Sequence, residues 1–385
     1  MDALEKLKLL GPTTRYEPAE EVVVSRRLPP PKNAADLSDC ITHAMLPNGK
    51  RIAMLKTALT SACERNCNYC AFRQGRDFRR VTFSPGELAR LFMNLHRKGL
   101  VEGIFLSSGV AGGGPNTQER LIATAEALRH RYDYRDYIHL KIMPGAERDQ
   151  VLTSMRLADR VSINLEAPNT ARLAQLAPRK AFTKELLLRL HWVQEIRRGM
   201  PGRWPSSSTQ FVVGPAGESD AELLVTTGYL HRELGLARVY FSGFSPVPDT
   251  PLKDLPPLSP LREHRLYQSS FLLRDYGFDA EELPFDTVGN LPLGSDPKLA
   301  WAQQYLTHTP IELNSADRRA LLRVPGIGPV GADKLLRERR RGRLRSLTDL
   351  RKLGVVARRA APFILLDGRH PGRQLTFWPG GELDA

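Results

Sequence analysis

Cys63, Cys67 and Cys70 lie in the stretch CERNCNYC with the spacing C-x3-C-x2-C, in a chain of 385 residues that has four cysteines. Three thiolates this close hold a soft metal, either a zinc ion or an iron–sulfur cluster. A closed zinc site takes four protein ligands, so it would need Cys40 or a histidine such as His43 as the fourth. A cubane held by three thiolates leaves one iron with an open position, and an open position on a metal is where chemistry happens. The spacing favours the cluster and leaves zinc as the alternative. Four cysteines in so long a chain make no disulfide framework, which points to a reducing cytoplasm.

The elements that must position these thiols follow a simple rhythm. Strand candidates KTALTSA, EGIFLSS, YIHLKIM, RVSINLE, STQFVVG and RVYFSGF alternate with longer helical patterns. Two of the helices carry sequence starts: Ser84 with Pro85 and Glu87, and Ser219 with Glu222. Six strand–helix units predict a parallel sheet with right-handed crossovers. Six are too few for a closed eight-stranded barrel, so the expected fold is α/β, a partial (β/α)6 barrel. The cysteine loop leaves the C-terminal end of the first predicted strand, where such folds place their chemistry. Period two puts Ser162, Asn164 and Glu166 on one face of the fourth strand.

The C-x3-C-x2-C loop, with Tyr69 just before its last cysteine, resembles the signature of the radical S-adenosylmethionine (radical SAM) enzymes. The resemblance implies a 4Fe–4S cluster on Cys63, Cys67 and Cys70, with Cys40 dispensable. Its open iron would chelate the amino and carboxylate groups of S-adenosyl-L-methionine, whose one-electron cleavage gives a 5′-deoxyadenosyl radical. It also implies an electron donor such as flavodoxin or ferredoxin. Ser107, Ser108 and Gly109 match the strand end that meets the methionine amino group; small residues there would let the ligand approach the backbone. Ser162, Asn164 and Glu166 stand where acceptors for the ribose hydroxyls are expected, with a rim ion pair as the competing role for Glu166. Lys141 is a further candidate, for substrate or for the methionine carboxylate, with a structural ion pair as the competing role. No catalytic residue beyond these ligands is assigned.

A run of motifs, among them YIHLKIMPG, DRVSINLEAP, LAPRK and LLRVPGIGPVGADKLLRERR, is similar to the DNA modification/repair radical SAM proteins over about residues 40–370. That family is linked with a uracil-DNA glycosylase-like partner. SSGVAGGGPNT departs from it, being longer and richer in glycine.

Charge supports a polyphosphate partner independently of the resemblance. The chain has 56 Lys+Arg and 42 Asp+Glu, a net of +14. Residues 317–373 hold 16 and 5 of these, a net of +11, which leaves 40 and 37, a net of +3, for the rest. In that segment LLRVPGIGPVGADKLL resembles a helix-hairpin-helix. Gly326, Ile327, Gly328 and Gly331 would form its turn and next helix start, and Lys334, Arg337, Arg339 and Arg340 would meet DNA phosphates. LTDLRKLGVVARRAAPF reads as a weaker second copy. The expected organisation is a lead-in over 1–55 with a proline run, the barrel over 56–245, and a proline-rich and helical connector over 246–310. A small all-α helix-hairpin-helix domain over 311–373 and a tail over 374–385 follow. No apolar run is long enough for a membrane span. The expected function is a radical SAM enzyme that modifies or repairs DNA. The alternatives are an enzyme acting on RNA and a nucleic-acid-binding protein with a structural metal.

Overall fold

In a computed structural model the chain is described at residues 1–14, 37, 39–45 and 49–371. The proline run and the C-terminal tail lie outside these residues. The chain divides into two compact units, Met1–Tyr267 and Gln268–Ala385.

The first unit begins with α1 (Ala3–Thr14), β1 (Ile41–Met45) and β2 (Arg51–Ala58). Helices and strands then alternate: α2 (Pro85–Arg97), β3 (Gly103–Ser107), α3 (Gly114–Glu126), β4 (Ile138–Lys141), α4 (Arg148–Leu157) and β5 (Arg160–Ser162). After them come α5 (Thr170–Leu176), α6 (Leu188–Gly199), β6 (Ser206–Val213), α7 (Asp220–Arg232) and β7 (Arg238–Gly243). The seven strands form one sheet in chain order, parallel except for β1, which pairs antiparallel with β2. This is the α/β partial barrel. β1 extends the expected six strands and belongs to the lead-in, where a short amphipathic helix at MDALEKLKLL, here α1, and otherwise loop were expected. Five residues, ITHAM, were too short and too weakly alternating to stand out; pairing with β2 supplies their order.

Both predicted helix starts form capping boxes, Ser84 with Glu87 and Ser219 with Glu222. In α2 the residues Leu88, Leu91, Phe92 and Leu95 repeat at helical spacing and are buried. They pack with Leu55, Ile104, Leu106, Ile138 and Leu140 in the core outside the sheet. The opposite faces of the strands point into the barrel, where Ile52, Met54, Phe105 and Ala44 form a small apolar plug.

After the first unit's strands, α8 (Pro260–Asp275) runs across the division between units. The second unit then has α9 (Pro297–Tyr305), β8 (Ile311–Glu312), α10 (Arg318–Arg323), α11 (Pro329–Glu338), α12 (Leu347–Lys352), α13 (Ala357–Ala360) and β9 (Ile364–Leu365). It is not all-α: β8 and β9 pair in parallel and close the segment that the helices span. Ala302 of α9 and Leu306 just after it share one core with Leu321, Ile327, Leu335 and Val355.

Candidate active site

The cysteine loop is shaped by its own polar groups. Arg80 donates to the carbonyl oxygens of Ser61 (2.8 Å), Phe72 (3.1 Å), Arg73 (2.9 Å) and Arg76 (3.4 Å) while its guanidinium lies over the Phe78 ring. The glycine-rich insertion also has a task. Gly112 and Gly113, both at positive φ, donate their N–H groups to the Glu64 carboxylate at 3.2 Å each, which ties the loop after β3 to the cysteine loop. On the other side, the Asn68 N–H donates to Leu176 O at 2.7 Å, its amide to Gln175 O at 2.7 Å, and Arg65 pairs with Glu185 at 2.7 Å.

Cys63, Cys67 and Cys70 all line one cavity at the C-terminal ends of the strands, about 950 Å³ of open space counting its mouth. Cys40 is elsewhere, in the apolar core beside α1, with its thiol donating to Leu7 O at 3.5 Å. A fourth ligand from Cys40 is therefore ruled out by position. Tyr69, Ser107, Ser108, Gly109, Asn164 and Glu166 line the same cavity, as does Lys141; Ser162 does not, and lines a smaller chamber below it.

Two of the predicted ligand contacts also have partners within the protein. A Cβ on Gly109 would overlap the Ala62 carbonyl oxygen, so packing against the cysteine loop requires glycine there whatever the cavity holds. The Ser108 hydroxyl donates to Gly109 O at 2.7 Å, an internal bond.

Glu166 sits at φ +66°, a left-handed conformation that costs a non-glycine residue of order 1–3 kcal/mol. The β6 backbone holds it there: its N–H donates to Gln210 O at 2.9 Å and its carbonyl accepts from Val212 N at 2.8 Å. The strain aims its carboxylate into the cavity. Oε1 accepts from Lys180 Nζ at 2.8 Å, a pair whose side chains are 5% and 9% exposed. Oε2 is buried with no hydrogen-bond partner. Lys180 and Gln210 are cavity residues that the sequence reading passed over. In the sequence LAPRK stands only as part of a motif run, and a lone lysine after a short helix carries no signal of its own.

The donors fit a thiolate-bound cluster with S-adenosyl-L-methionine. Burial pushes the Cys70 thiol up to about 12 and raises that of Cys67, so ionising them requires a compensating cation such as iron. The Lys180 ammonium works in the opposite sense on Cys67. Burial raises the Tyr69 phenol well above its usual range, with Glu166 adding to the effect. The Glu166 carboxylate offers an acceptor that the Tyr69 phenol beside it also reaches, and Phe72, Ile142 and Met143 give the cavity an apolar wall.

Residues 57–230 match the sequence profile of the Radical SAM superfamily. This segment is a radical SAM domain. It is the catalytic module of an enzyme, and the superfamily uses a 4Fe–4S cluster and S-adenosyl-L-methionine. No curated protein matches the chain in sequence. Among solved structures, it is similar to the FeFe-hydrogenase maturase HydG from Carboxydothermus hydrogenoformans at 17% identity, TM-score 0.46, covering 57% of this chain and 51% of that one. It is also similar to methylornithine synthase (PylB) at 14% identity, TM-score 0.46, covering 57% and 61%. The radical SAM methyltransferase TsrM from Kitasatospora setae is similar at 12% identity, TM-score 0.39, covering 52% and 38%. The chain thus spans about half the length of the solved structures it matches. Among the described residues, no helix is long and apolar enough to cross a membrane.

Proposed function

We propose that this radical SAM enzyme acts on DNA and holds the duplex backbone through a pair of helix-hairpin-helix turns in its second unit. One observation supports this reading most directly: two glycine turns pack against each other there beneath a basic surface. Gly326, at φ +86°, starts the turn between α10 and α11, and Gly354, at φ +80°, the turn between α12 and α13. Each is followed by a buried aliphatic residue, Ile327 and Val355. The turns are joined by Val356 N–H donating to Gly326 O at 3.0 Å. Gly331 packs on Val355. Gly328 caps α11, whose first N–H groups are donors suited to a phosphate oxygen.

Lys334, Arg337 and Arg340 are exposed around this turn. Arg339 is instead turned back onto the carbonyls of Leu313 and Ala316 and is a weaker candidate for phosphate contact.

In the first unit, the bound cluster and S-adenosyl-L-methionine supply one-electron bond cleavage and a radical able to abstract hydrogen. The chain's own residues bind and orient. Glu166 Oε2 accepts a ribose hydroxyl, Lys180 holds Glu166 in place through its other oxygen, and Asn164 and Gln210 face the same space. A flavodoxin- or ferredoxin-class donor would supply the electron, and a uracil-DNA glycosylase-like protein is the proposed partner.

The test is a salt titration of duplex binding by full-length protein. Phosphate contacts give a log–log slope of roughly −0.9 each, so replacing Lys334, Arg337 and Arg340 together with Ala is expected to flatten the slope by about two to three units. An unchanged slope and affinity would overturn the assignment of this surface to DNA.

A further inference from the structure

Sharing Asn164 and Gln210 with the cofactor cavity, a second, narrower chamber opens in the barrel, about 210 Å³ of open space counting its mouth, with closed room for about one water-sized group. Its floor is Phe105, which belongs to the apolar plug. His139 lies on that ring, centroids 4.4 Å apart. His139 is 2% exposed and its Nε2 has no hydrogen-bond partner; Ser208, fully buried, has an unpartnered Oγ. Burial, with the neighbouring charges of Arg160 and Lys141, lowers the His139 pKa and keeps its ring neutral. Asn164 Nδ2 donates to Gln210 Oε1 at 3.3 Å, which leaves Asn164 Oδ1 as an acceptor and Gln210 Nε2 as a donor. No carboxylate lines the chamber.

These groups define a ligand by exclusion. A buried polar atom left unpaired is costly, so a fold that lines one chamber with two of them is completed by a group that bonds there. A cation finds no counter-charge on these walls. An anion would call for donors alone, whereas a neutral imidazole, a hydroxyl and a crossed pair of amides offer donors and acceptors together. That mixture suits the edge of an uncharged heterocycle, and the space is too small for more than its edge. Enzymes that act on a base take it out of the stack and read it by edge hydrogen bonds and aromatic contact.

We propose that this chamber receives the polar edge of a nucleobase turned out of the duplex, with its ring in the wider cavity above. The inference rests on the DNA reading and extends it to the group that reacts.

The test uses full-length protein loaded with cluster and S-adenosyl-L-methionine, and duplexes in which 2-aminopurine neighbours each of the four bases in turn. Binding is expected to raise the fluorescence for one base identity, as its departure unstacks the probe. His139→Phe and Ser208→Val should lose the rise while retaining cluster absorbance and duplex affinity, and the milder Ser208→Ala should lose part of it. A rise that persists in both blocking variants, or no rise for any base although duplex is bound, overturns the chamber and leaves the DNA reading intact. If no duplex binds, the DNA reading falls, and saturation-transfer NMR with free nucleosides decides the chamber. Binding weakened roughly tenfold by Ser208→Val would support it, and absence of transfer from every nucleoside would overturn it.

Discussion

Gly109 in the first unit and Gly326 in the second each leave room for a neighbour's carbonyl oxygen where a side chain would stand. At Gly109 the neighbour is Ala62, just before the cysteine loop; at Gly326 it is Val356, 2.5 Å from where a Cβ would lie. The demands differ. Gly109 has an ordinary backbone and is required by space alone, whereas Gly326 also needs φ +86°. The first glycine seats a loop whose polar groups face inward on one another. The second seats a turn that leaves its cations facing water. The molecule thus uses the same packing device once beside a buried cavity and once beneath an exposed basic surface.

The strongest way to break this comparison is through the thiols. Cys63→Ser, Cys67→Ser or Cys70→Ser should each abolish retained iron while the second unit still melts as in wild type; Cys40→Ala should keep its iron and lose about 1 kcal/mol of stability. Iron assay and calorimetry on the same samples measure both. Inward and outward ion pairs give the next contrast. Lys180→Met leaves a buried carboxylate alone and should cost about 3–5 kcal/mol, most of it recovered by adding Glu166→Gln. Arg318→Ala breaks an exposed pair with Asp333 and should cost at most about 1 kcal/mol in denaturant titrations.

The glycines themselves come third. Gly326→Ala meets both a clash and a left-handed backbone, roughly 2–4 kcal/mol, and should weaken duplex binding without loss of iron. Gly109→Ala, a clash alone of about 1–3 kcal/mol, should reduce iron retention and leave duplex binding unchanged.

The last contrast is a pH dependence. Lys298 donates to Ile327 O at 2.6 Å from within the second unit's core, and burial, with Arg359 adding to it, lowers its pKa to about 7. The unfolded chain holds that proton up to about pH 10.4. Stability of this unit should therefore rise from pH 7 to about pH 10, by at most about 1.4 kcal/mol per unit, and level off below pH 7. Lys298→Met should flatten the profile in thermal melts across that range.

How far the site was legible in the sequence follows from the range over which each feature is encoded. The cysteine spacing and the two capping boxes are local, and each could be read within a few residues; the period-two face was expected through Asn164 and Glu166, but β5 ends at Ser162 and Glu166 reaches the cavity from a left-handed backbone. Ser162 shares that face but lies one strand layer too deep, which period alone cannot show. Lys180 reaches Glu166 because α5 turns the chain back toward β5, and Gln210 meets Asn164 across two strands; neither pairing leaves a mark near its own position. The glycine-rich insertion looked anomalous because its partner, Glu64, is about fifty residues away. β1 was overlooked because its order comes from β2.

Arg80 carries a consequence for the life of the enzyme outside its turnover. Its guanidinium gathers four carbonyls and closes the cysteine loop with covalently attached atoms. Part of that loop's order is therefore independent of iron, unlike that of small zinc domains that unfold when stripped. Loss of the cluster would leave those four bonds in place, so resupplied iron and sulfide would meet a loop already closed at its base.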